Sequence, residues 1–263
     1  MERIALVAGG GELPLEFLRS AKRQGDEVVV YALKGMASEE LEKEGVKLYW
    51  VGLNEYAKFA FLLVKERIKR LTMIGKVEKT VIYDNGGEKT KELKGLKDKK
   101  DYSILEEITR HLKKIGVEVV DGMKYLSHML PEKGVLTSRA PDIRESEDIK
   151  FGYDTAKKLA GMDVGQTIIV KGGAVVAVEA MEGTNETIKR AAKTAGEGCV
   201  MIKVSRPEQD MRWDVPAVGP ETIDSLAEYK YSALALESGK MYLLGKEEFI
   251  KKAEAAGIAV EAL

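Results

Sequence analysis

Histidine and cysteine are scarce in this chain of 263 residues, and their scarcity excludes several kinds of site. A single cysteine, Cys199, means that no disulfide can form within the chain. Because Cys199 follows a glycine and precedes an apolar run, we predict a buried small side chain rather than a nucleophile. The two histidines, His111 and His128, are too few for a histidine-based zinc site and disfavour a Ser-His-Asp triad.

An excess of charge and a long apolar run are also missing. The 42 basic and 43 acidic residues leave a net charge of −1, which argues against bulk electrostatic binding to nucleic acid. The longest strongly apolar run, residues 59–64, is far too short to span a membrane, and the first residues lack a signal-peptide core. We therefore expect a cytoplasmic protein without a nucleic-acid partner.

Apolar runs alternate with amphipathic segments in the first half, and this pattern predicts a parallel, doubly wound sheet. The pattern changes at residues 131–141, a stretch with two prolines that predicts a linker. We therefore predict an α/β protein, with a Rossmann-like, doubly wound domain at residues 1–130 and a mixed α/β domain at residues 142–263. In the second domain, Gly172-Gly173 and Gly239 each predict a hairpin between two short strands.

Three consecutive glycines, Gly9, Gly10 and Gly11, join the first predicted strand to the first helix. Glycine lets the backbone approach a phosphate closely, and a helix N-terminus favours negative charge. Such a turn lies at the carboxyl end of a strand, where doubly wound sheets bind ligands. Pro14 stands at the third glycine position of the dinucleotide motif and no acid closes the second strand, so NAD binding is disfavoured. Nucleotide-phosphate or nucleotide-sugar binding and a plain tight turn stay equally open.

Two other turns have a functional and a simpler interpretation. Gly75 and Lys76 end the fourth predicted strand and can face the same crevice, although a solvated lysine at a strand end is the simpler explanation. Glu179 and Glu182 bracket a turn before a helix that Thr184 can cap. That turn can hold a phosphate or a metal, but helix capping explains the same residues.

Two acids and an arginine alternate at Asp210, Arg212 and Asp214. If this segment is extended, the three side chains share one face, and the residues between them point to the core. Two carboxylates beside one guanidinium can hold a divalent metal and a phosphate together. The simpler alternative is a solvated edge strand with a salt bridge.

Five segments, taken in order, resemble one known family. They are AGGGELP from Ala8, IGKV from Ile74, DVGQ from Asp163, VEAMEGTN from Val178 and QDMRWDVPAVGPETI from Gln209. Over nearly the whole chain they resemble the LpxI-type UDP-2,3-diacylglucosamine pyrophosphatases. The resemblance implies a two-domain enzyme of lipid A synthesis that depends on magnesium. It also implies hydrolysis of the substrate to UMP and 2,3-diacylglucosamine 1-phosphate, with water attacking the phosphorus on the uridine side.

The resemblance assigns roles to particular positions. The RxDxP element of the family falls on Arg212, Asp214 and Pro216, so Asp214 corresponds to its essential acid. The EGTD element falls on residues 182–185, where Asn185 replaces the aspartate and removes one negative charge. We expect Asp214 and Arg212 to be catalytic, and Asp214, Asp210 and Glu182 to be magnesium ligands. The residues expected to bind substrate are Gly9, Gly10, Gly11, Gly75, Lys76, Gln166 and Thr184.

The expected partner is a lipid-linked nucleotide sugar, whose acyl chains would need an apolar groove in the second domain. A peripheral contact with the inner membrane and a homodimer are both compatible with this expectation. The main rival hypothesis is a non-enzymatic nucleotide-sugar binding protein with the same two domains. It would keep the glycine turn but would need neither a metal nor an essential acid.

Overall fold

The computed structural model describes residues 2–77, 101–212 and 215–263, with side chains described outside residues 101–104. The chain divides into two compact units, Met1–Ser127 with Met211–Asp214, and His128–Asp210 with Val215–Leu263. The predicted α/β fold is confirmed, since the first unit contains a parallel sheet and the second a mixed sheet. No helix within the described ranges is long and apolar enough to cross a membrane.

A five-stranded sheet, in which all neighbours are parallel, forms the centre of the first unit. Its strands are β1 Arg3–Ala8, β2 Glu27–Leu33, β3 Lys47–Val51, β4 Arg70–Ile74 and β5 Glu118–Val119. They lie in the order β3-β2-β1-β4-β5. The chain therefore begins in the middle of the sheet and crosses to the other side of β1 when it enters β4, which creates a topological switch point.

Helices cover both faces of this sheet, which is why β2 is an almost continuous apolar run. They are α1 Leu13–Arg23, α2 Tyr56–Lys65, α3 Asp101–Lys114 and α4 Met123–Leu126, with 3-10 segments at Glu39–Glu44 and Ser127–Met129. On one face, Leu63 of α2 and Leu112 of α3 pack in one core with Leu71 of β4. On the other face, the Phe17 ring of α1 meets the Tyr125 ring of α4 edge-on, with centroids 4.8 Å apart.

A buried carboxylate joins three elements at the amino edge of this sheet. Glu66, at the end of α2, is only 4 % exposed. It accepts from Arg3 Nη2 at 3.0 Å and Tyr49 Oη at 2.6 Å, and Lys47 Nζ lies 2.7 Å from its Oε1. Hydrogen bonds from Lys47 and Tyr49 lower the pKa of Glu66 to about 2. The cluster holds β1, β3 and α2 together at the end of the sheet opposite to the glycine turn.

The second unit contains a six-stranded sheet and a separate parallel pair of strands. The strands of the unit are β6 Gly134–Val135, β7 Thr167–Lys171, β8 Ala174–Val178, β9 Val200–Lys203, β10 Ala217–Val218, β11 Ala233–Leu236, β12 Tyr242–Leu243 and β13 Ala259–Ala262. The sheet has the order β6-β13-β11-β9-β7-β8, with β13, β11 and β9 parallel and the other three antiparallel to their neighbours. Strands β10 and β12 form the separate pair.

Helices also cover both faces of the second sheet. They are α5 Ile143–Gly161, α6 Thr184–Ala195, α7 Pro220–Glu228 and α8 Lys246–Ala255. Ile149 of α5 packs in a core with Ile202, whereas Ile188 of α6 packs in a different core with Met201. Cys199 is fully buried in this second core, as the sequence predicts, and burial raises the pKa of its thiol.

The hairpin predicted at Gly172-Gly173 is confirmed. Strands β7 and β8 pair antiparallel, and both glycines have positive φ. The carboxylate of Asp148 on α5 accepts from the Gly172 and Gly173 N–H groups at 2.9 and 2.6 Å, which fixes the turn. The hairpin predicted around Gly239 is wrong, because β11 pairs with β9 and β13 while β12 pairs with β10.

Two other segments contain structure that the sequence did not predict. The stretch predicted as a linker, residues 131–141, contains β6, which pairs with β13 at the edge of the second sheet. The condition of an extended segment does not hold at Met211 and Arg212, which lie in a turn. The alternation of acidic and apolar side chains therefore does not place Asp210 and Arg212 on one face of a strand.

The Glu66 cluster predicts an acid-sensitive contribution to stability. Since the folded-state pKa of Glu66 lies below its unfolded value of about 4.3, the contribution is complete above that value and is lost as the pH falls towards about 2. We expect Glu66→Gln to lower the urea midpoint of the first unit at pH 7 and to lower it less at pH 3. Glu118→Gln, on the exposed edge strand β5, is the control and should change neither midpoint. An equal loss for Glu66→Gln at both pH values would contradict the prediction.

Candidate active site

Four of the predicted binding residues meet where β1 and β4 end. Gly9 N–H donates to the Ile74 carbonyl at 2.8 Å. Gly10 N–H donates to the Lys76 carbonyl at 2.8 Å, and Lys76 N–H donates back to the Gly10 carbonyl at 2.9 Å. The structure thus brings Gly9, Gly10, Gly75 and Lys76 together at the topological switch point, where doubly wound sheets bind ligands.

The turn after β1 and the turn after β4 come so close together that two of these positions require glycine. A Cβ on Gly9 would lie 2.7 Å from the Lys76 carbonyl oxygen. A Cβ on Gly75 would lie 2.8 Å from the Gly10 carbonyl oxygen, and the φ of Gly75 is +104°. Only glycine avoids both the overlap and the strain at position 75. These two positions therefore have a structural requirement for glycine that is independent of any ligand.

Gly11 differs from its neighbours. Its φ is +87°, and a Cβ there would meet nothing within 4 Å. The residue is exposed and lies just before α1. Because the Gly9 and Gly10 N–H groups already donate to protein carbonyls, a phosphate approaching this turn would meet Gly11 and the first N–H groups of α1.

The DVGQ segment lies against the end of β8 in the second unit. A Cβ on Gly165 would lie 1.9 Å from the carbonyl oxygen of Glu179, so the two backbones are in direct contact. Asp163 forms an ion pair with Arg206 at 3.0 Å. The carbonyl of Gln166 accepts from Val204 N–H at 2.9 Å, whereas its buried side-chain oxygen accepts no hydrogen bond from the described residues. A donor on a ligand would satisfy that oxygen, which favours the predicted role of Gln166.

Thr184 belongs to a partly buried polar cluster, which we call the Lys203 cluster: Lys203, Thr167, Thr184 and Glu179. Lys203 Nζ donates to Thr184 Oγ1 at 3.0 Å and to Thr167 Oγ1 at 3.1 Å. Thr184 Oγ1 donates in turn to Glu179 Oε1 at 2.7 Å. The predicted binding residue Thr184 is therefore oriented by a lysine that sequence reasoning missed. The available signal was a single lysine between Ile202 and Val204 in an apolar run.

A second polar cluster lies at the same sheet edge as the Lys203 cluster, at the ends of β9 and β11. Glu237 accepts from Ser205 N–H at 2.8 Å, and Lys157 Nζ lies 3.0 Å from both of its carboxylate oxygens. Glu237 is 8 % exposed. Burial, followed by the negative charge of Glu237, raises the pKa of Tyr153. Sequence reasoning missed this cluster too, because its members are distant in the chain.

Glu182 has a structural role at the start of α6. Its carboxylate accepts from Arg190 at 2.6 Å, Thr187 Oγ1 at 3.3 Å and Ala180 N–H at 3.2 Å. A hydrogen bond from its own backbone N–H, followed by that from Arg190, lowers its pKa. Since Arg190 already pairs with the carboxylate, Glu182 is poorly suited to its predicted role as a magnesium ligand.

The remaining predicted residues follow β9. Asp210 and Arg212 are half-buried, and the carbonyl of Asp210 accepts from Gln209 Nε2 at 3.1 Å. Asp214, the predicted essential acid, lies outside the described residues. Across the part of the chain that the structure describes, no three or more histidine, cysteine or acidic side chains gather in a metal-binding group. Magnesium commonly takes one or two protein carboxylates and completes its shell with water and phosphate, so Asp210 and Asp214 stay the predicted ligands.

The arrangement is that of a two-unit α/β protein with glycine-rich and polar groups at the carboxyl edges of its sheets. The model of the LpxI N-terminal domain matches residues 3–129, and that of the LpxI C-terminal domain matches residues 132–261. The chain therefore belongs to the LpxI family.

Two individual proteins are also similar to it. A Caulobacter vibrioides protein named UDP-2,3-diacylglucosamine pyrophosphatase LpxI is 27 % identical over 99 % of this chain and 97 % of its own length. Among solved structures, the biotin carboxylase domain of 2-oxoglutarate carboxylase from Hydrogenobacter thermophilus matches 73 % of this chain and 41 % of that chain. That match has 15 % identity and a TM-score of 0.26, which is too low to indicate a shared fold.

The glycine geometry predicts different effects at two neighbouring turns. We expect Gly75→Ala to destabilise the first unit by about 2–4 kcal/mol, because it adds both backbone overlap and a left-handed alanine. Gly11→Ala should cost only about 1–2 kcal/mol of strain, yet should weaken UMP binding roughly tenfold or more. Thermal melting and calorimetric titration with UMP measure the two effects. Unchanged UMP affinity in folded Gly11→Ala would show that this turn is only structural.

Proposed function

We propose that this protein is a magnesium-dependent UDP-2,3-diacylglucosamine pyrophosphatase, which releases UMP and 2,3-diacylglucosamine 1-phosphate for lipid A synthesis. The observation that carries the proposal is the match of both LpxI domain models, in order, to nearly the whole chain. The similarity to the Caulobacter protein over almost the full length of both chains supports it. The glycine turn at the switch point of the first sheet is suited to the nucleotide end of such a substrate.

The chemistry of a pyrophosphate suits the residues that we propose for the reaction. Attack on phosphorus requires the negative charge of the substrate to be neutralised, and a bound magnesium ion would supply that charge. Asp214 would ligate this ion or orient the attacking water, and Asp210 would be the second ligand. Arg212 would bind a phosphate through its planar guanidinium, whose donors match two oxygens at once. The site uses oxygen ligands only, which magnesium prefers.

A substrate with two acyl chains also has consequences for location. It resides in a membrane, so we propose a peripheral, transient contact of a cytoplasmic protein with the inner membrane. A homodimer is compatible with this proposal, and sedimentation measures the oligomeric state directly. Co-sedimentation with phospholipid vesicles, with and without the substrate in them, tests the membrane contact.

We expect Asp214→Asn to abolish magnesium-dependent UMP release while leaving the fold and substrate binding intact. The substitution keeps the shape of the side chain and removes its charge, and groups of this kind contribute on the order of 3 kcal/mol or more at the transition state. The assay measures UMP released from UDP-2,3-diacylglucosamine with magnesium and, in parallel, with chelator. Asp210→Asn should reduce turnover less, and Glu182→Gln least, because Arg190 already pairs with Glu182.

Two results would contradict this proposal in different ways. Full turnover of Asp214→Asn would remove this residue from the mechanism and leave the activity standing. Absence of hydrolysis by the unaltered protein, together with tight binding of the nucleotide sugar, would favour the rival hypothesis of a binding protein.

A further inference from the structure

Helix α2 of the first unit carries apolar side chains on two opposite sides. Leu62 and Leu63 are buried and belong to the core between this helix and the sheet. Phe61 and Val64, by contrast, are 65 % and 61 % exposed, and Ala57 is exposed too. At about 3.6 residues per turn, Ala57, Phe61 and Val64 follow one line along the helix. We call these three residues the outer stripe.

The packing of the first unit does not account for the outer stripe. Single apolar side chains are common on protein surfaces, but neighbouring ones on one face of a helix typically mark an interaction surface. A surface helix normally has polar side chains on the side away from its core. A polar residue in place of Phe61 would leave the buried side of α2 unchanged, so the core does not require an aromatic side chain there.

The charged side chains beside the outer stripe are basic. Lys58 and Lys65 stand three residues before and four residues after Phe61, so both lie next to it on the helix surface. Lys58 Nζ lies 3.3 Å from a carboxylate oxygen of Glu55, whereas Lys65 forms no ion pair with a described residue. Glu66, which follows α2, is 4 % exposed and is bonded within its own cluster. The outward surface of α2 therefore combines apolar side chains with positive charge.

Positive charge continues where α2 ends. Helix α2 leads into β4 and α3 leads into β5, so both helices end at the amino edge of the parallel sheet. They cover the same face, since Leu63 and Leu112 share one core. Ile115, which follows α3, is 40 % exposed and adds an apolar side chain. The exposed basic residues at these two helix ends are Arg67, Lys69, Arg70, Lys113 and Lys114, and the exposed acid is Glu118.

A second copy of the chain is a poor occupant for this surface. In a two-fold dimer the same patch meets itself, which would bring Lys58 and Lys65 against the same lysines of the other copy. Like charges across an interface oppose association. An anionic bilayer instead offers an apolar interior to Phe61 and Val64 and negative head groups to the lysines. Charge complementarity therefore favours the bilayer over a second copy.

We propose that the outer stripe docks the first unit on a bilayer of anionic phospholipids, with Phe61 and Val64 inserted at the boundary between head groups and acyl chains. The inference rests on the proposed function, because a diacylated substrate resides in a membrane, and it deepens that function by naming the surface that meets the membrane. The helix has ten residues, a length of about 15 Å, so the contact is weak and reversible. Because α2 begins shortly after β3 ends, it starts at the edge of the sheet that bears the glycine turn.

Phe61→Gln tests the proposal with little disturbance of the fold, because the side chain is largely exposed. We expect its melting temperature to stay within a few degrees of that of the unaltered protein. Its partition onto substrate-free vesicles of phosphatidylcholine and phosphatidylglycerol, measured by co-sedimentation, should fall by about tenfold or more. Ile143→Gln is the matched control, since Ile143 is 79 % exposed but belongs to the second unit. Its partition should equal that of the unaltered protein.

Lys65→Gln tests the electrostatic part of the contact. We expect partition onto the anionic vesicles to fall by about fivefold, and partition onto phosphatidylcholine alone to stay unchanged. Raising the salt concentration should abolish the difference between Lys65→Gln and the unaltered protein. Lys133→Gln removes an exposed lysine of the second unit and should change neither partition. Equal losses in Lys65→Gln and Lys133→Gln would show a general effect of net charge and would overturn the assignment.

The readouts separate this inference from the proposed function. UMP release from UDP-2,3-diacylglucosamine dispersed in detergent should be equal for Phe61→Gln and the unaltered protein, whereas release from substrate held in vesicles should fall in the variant. If Phe61→Gln binds vesicles as well as the unaltered protein, the docking surface is wrong and the activity stands. If the unaltered protein binds vesicles through Phe61 but releases no UMP from either preparation, the docking surface stands and the proposed function fails.

Two further results would overturn the proposal. If sedimentation shows a dimer for the unaltered protein and a monomer for Phe61→Gln, the outer stripe is an interface between copies of the chain. Val64→Gln is the second variant of the stripe, because Val64 is nearly as exposed as Phe61. Failure of both variants to fold would assign the stripe to the structure of the first unit.

Discussion

The reciprocal pair of hydrogen bonds between Gly10 and Lys76 is the contact on which the geometry of the first unit depends. It joins the chain leaving β1 to the chain leaving β4, the two strands between which the order of the sheet reverses. The backbones come so close that Gly9 and Gly75 have no room for a side chain. A glycine motif of this kind is usually explained by phosphate binding. Here, however, the close approach of the two chain segments already requires glycine at Gly9 and Gly75. Its capacity to bind a phosphate is left to Gly11 and the start of α1.

Local sequence predicted those parts of the fold that depend on local interactions. The apolar run of β2 identified a strand covered on both faces, and Gly172-Gly173 identified a tight hairpin. The hairpin at Gly239 failed because β11 is paired on both edges by distant strands, β9 and β13. The short strands flanking a glycine look the same in sequence whether they pair with each other or with strands far away in the chain. Long-range pairing of that kind leaves no local pattern.

In the candidate site, too, short local motifs were predictable from sequence, whereas clusters formed by distant residues were not. Glycines and the EGTN turn were recognisable because each is a short segment with a typical composition. The Lys203 cluster depends on the register of β7 against β9. The cluster of Glu237, Ser205 and Lys157 depends on adjacent strands that are far apart in sequence. The two clusters also lie on opposite faces of the sheet. The Lys203 cluster lies beneath α6, and the cluster around Glu237 lies beneath α5. Polar residues at one edge therefore face both helical layers, although each core beneath is apolar.

The reactivity of the single cysteine, Cys199, can report on unfolding of the second unit. Cys199 is fully buried in the core between the sheet and α6, and its thiol donates to the carbonyl of Gly196. A thiol reagent in solution reaches it only when that core separates from the sheet, and no other thiol in the chain competes. The rate of thiol labelling therefore follows unfolding of this unit alone, and it can be measured in the unaltered protein without any added probe.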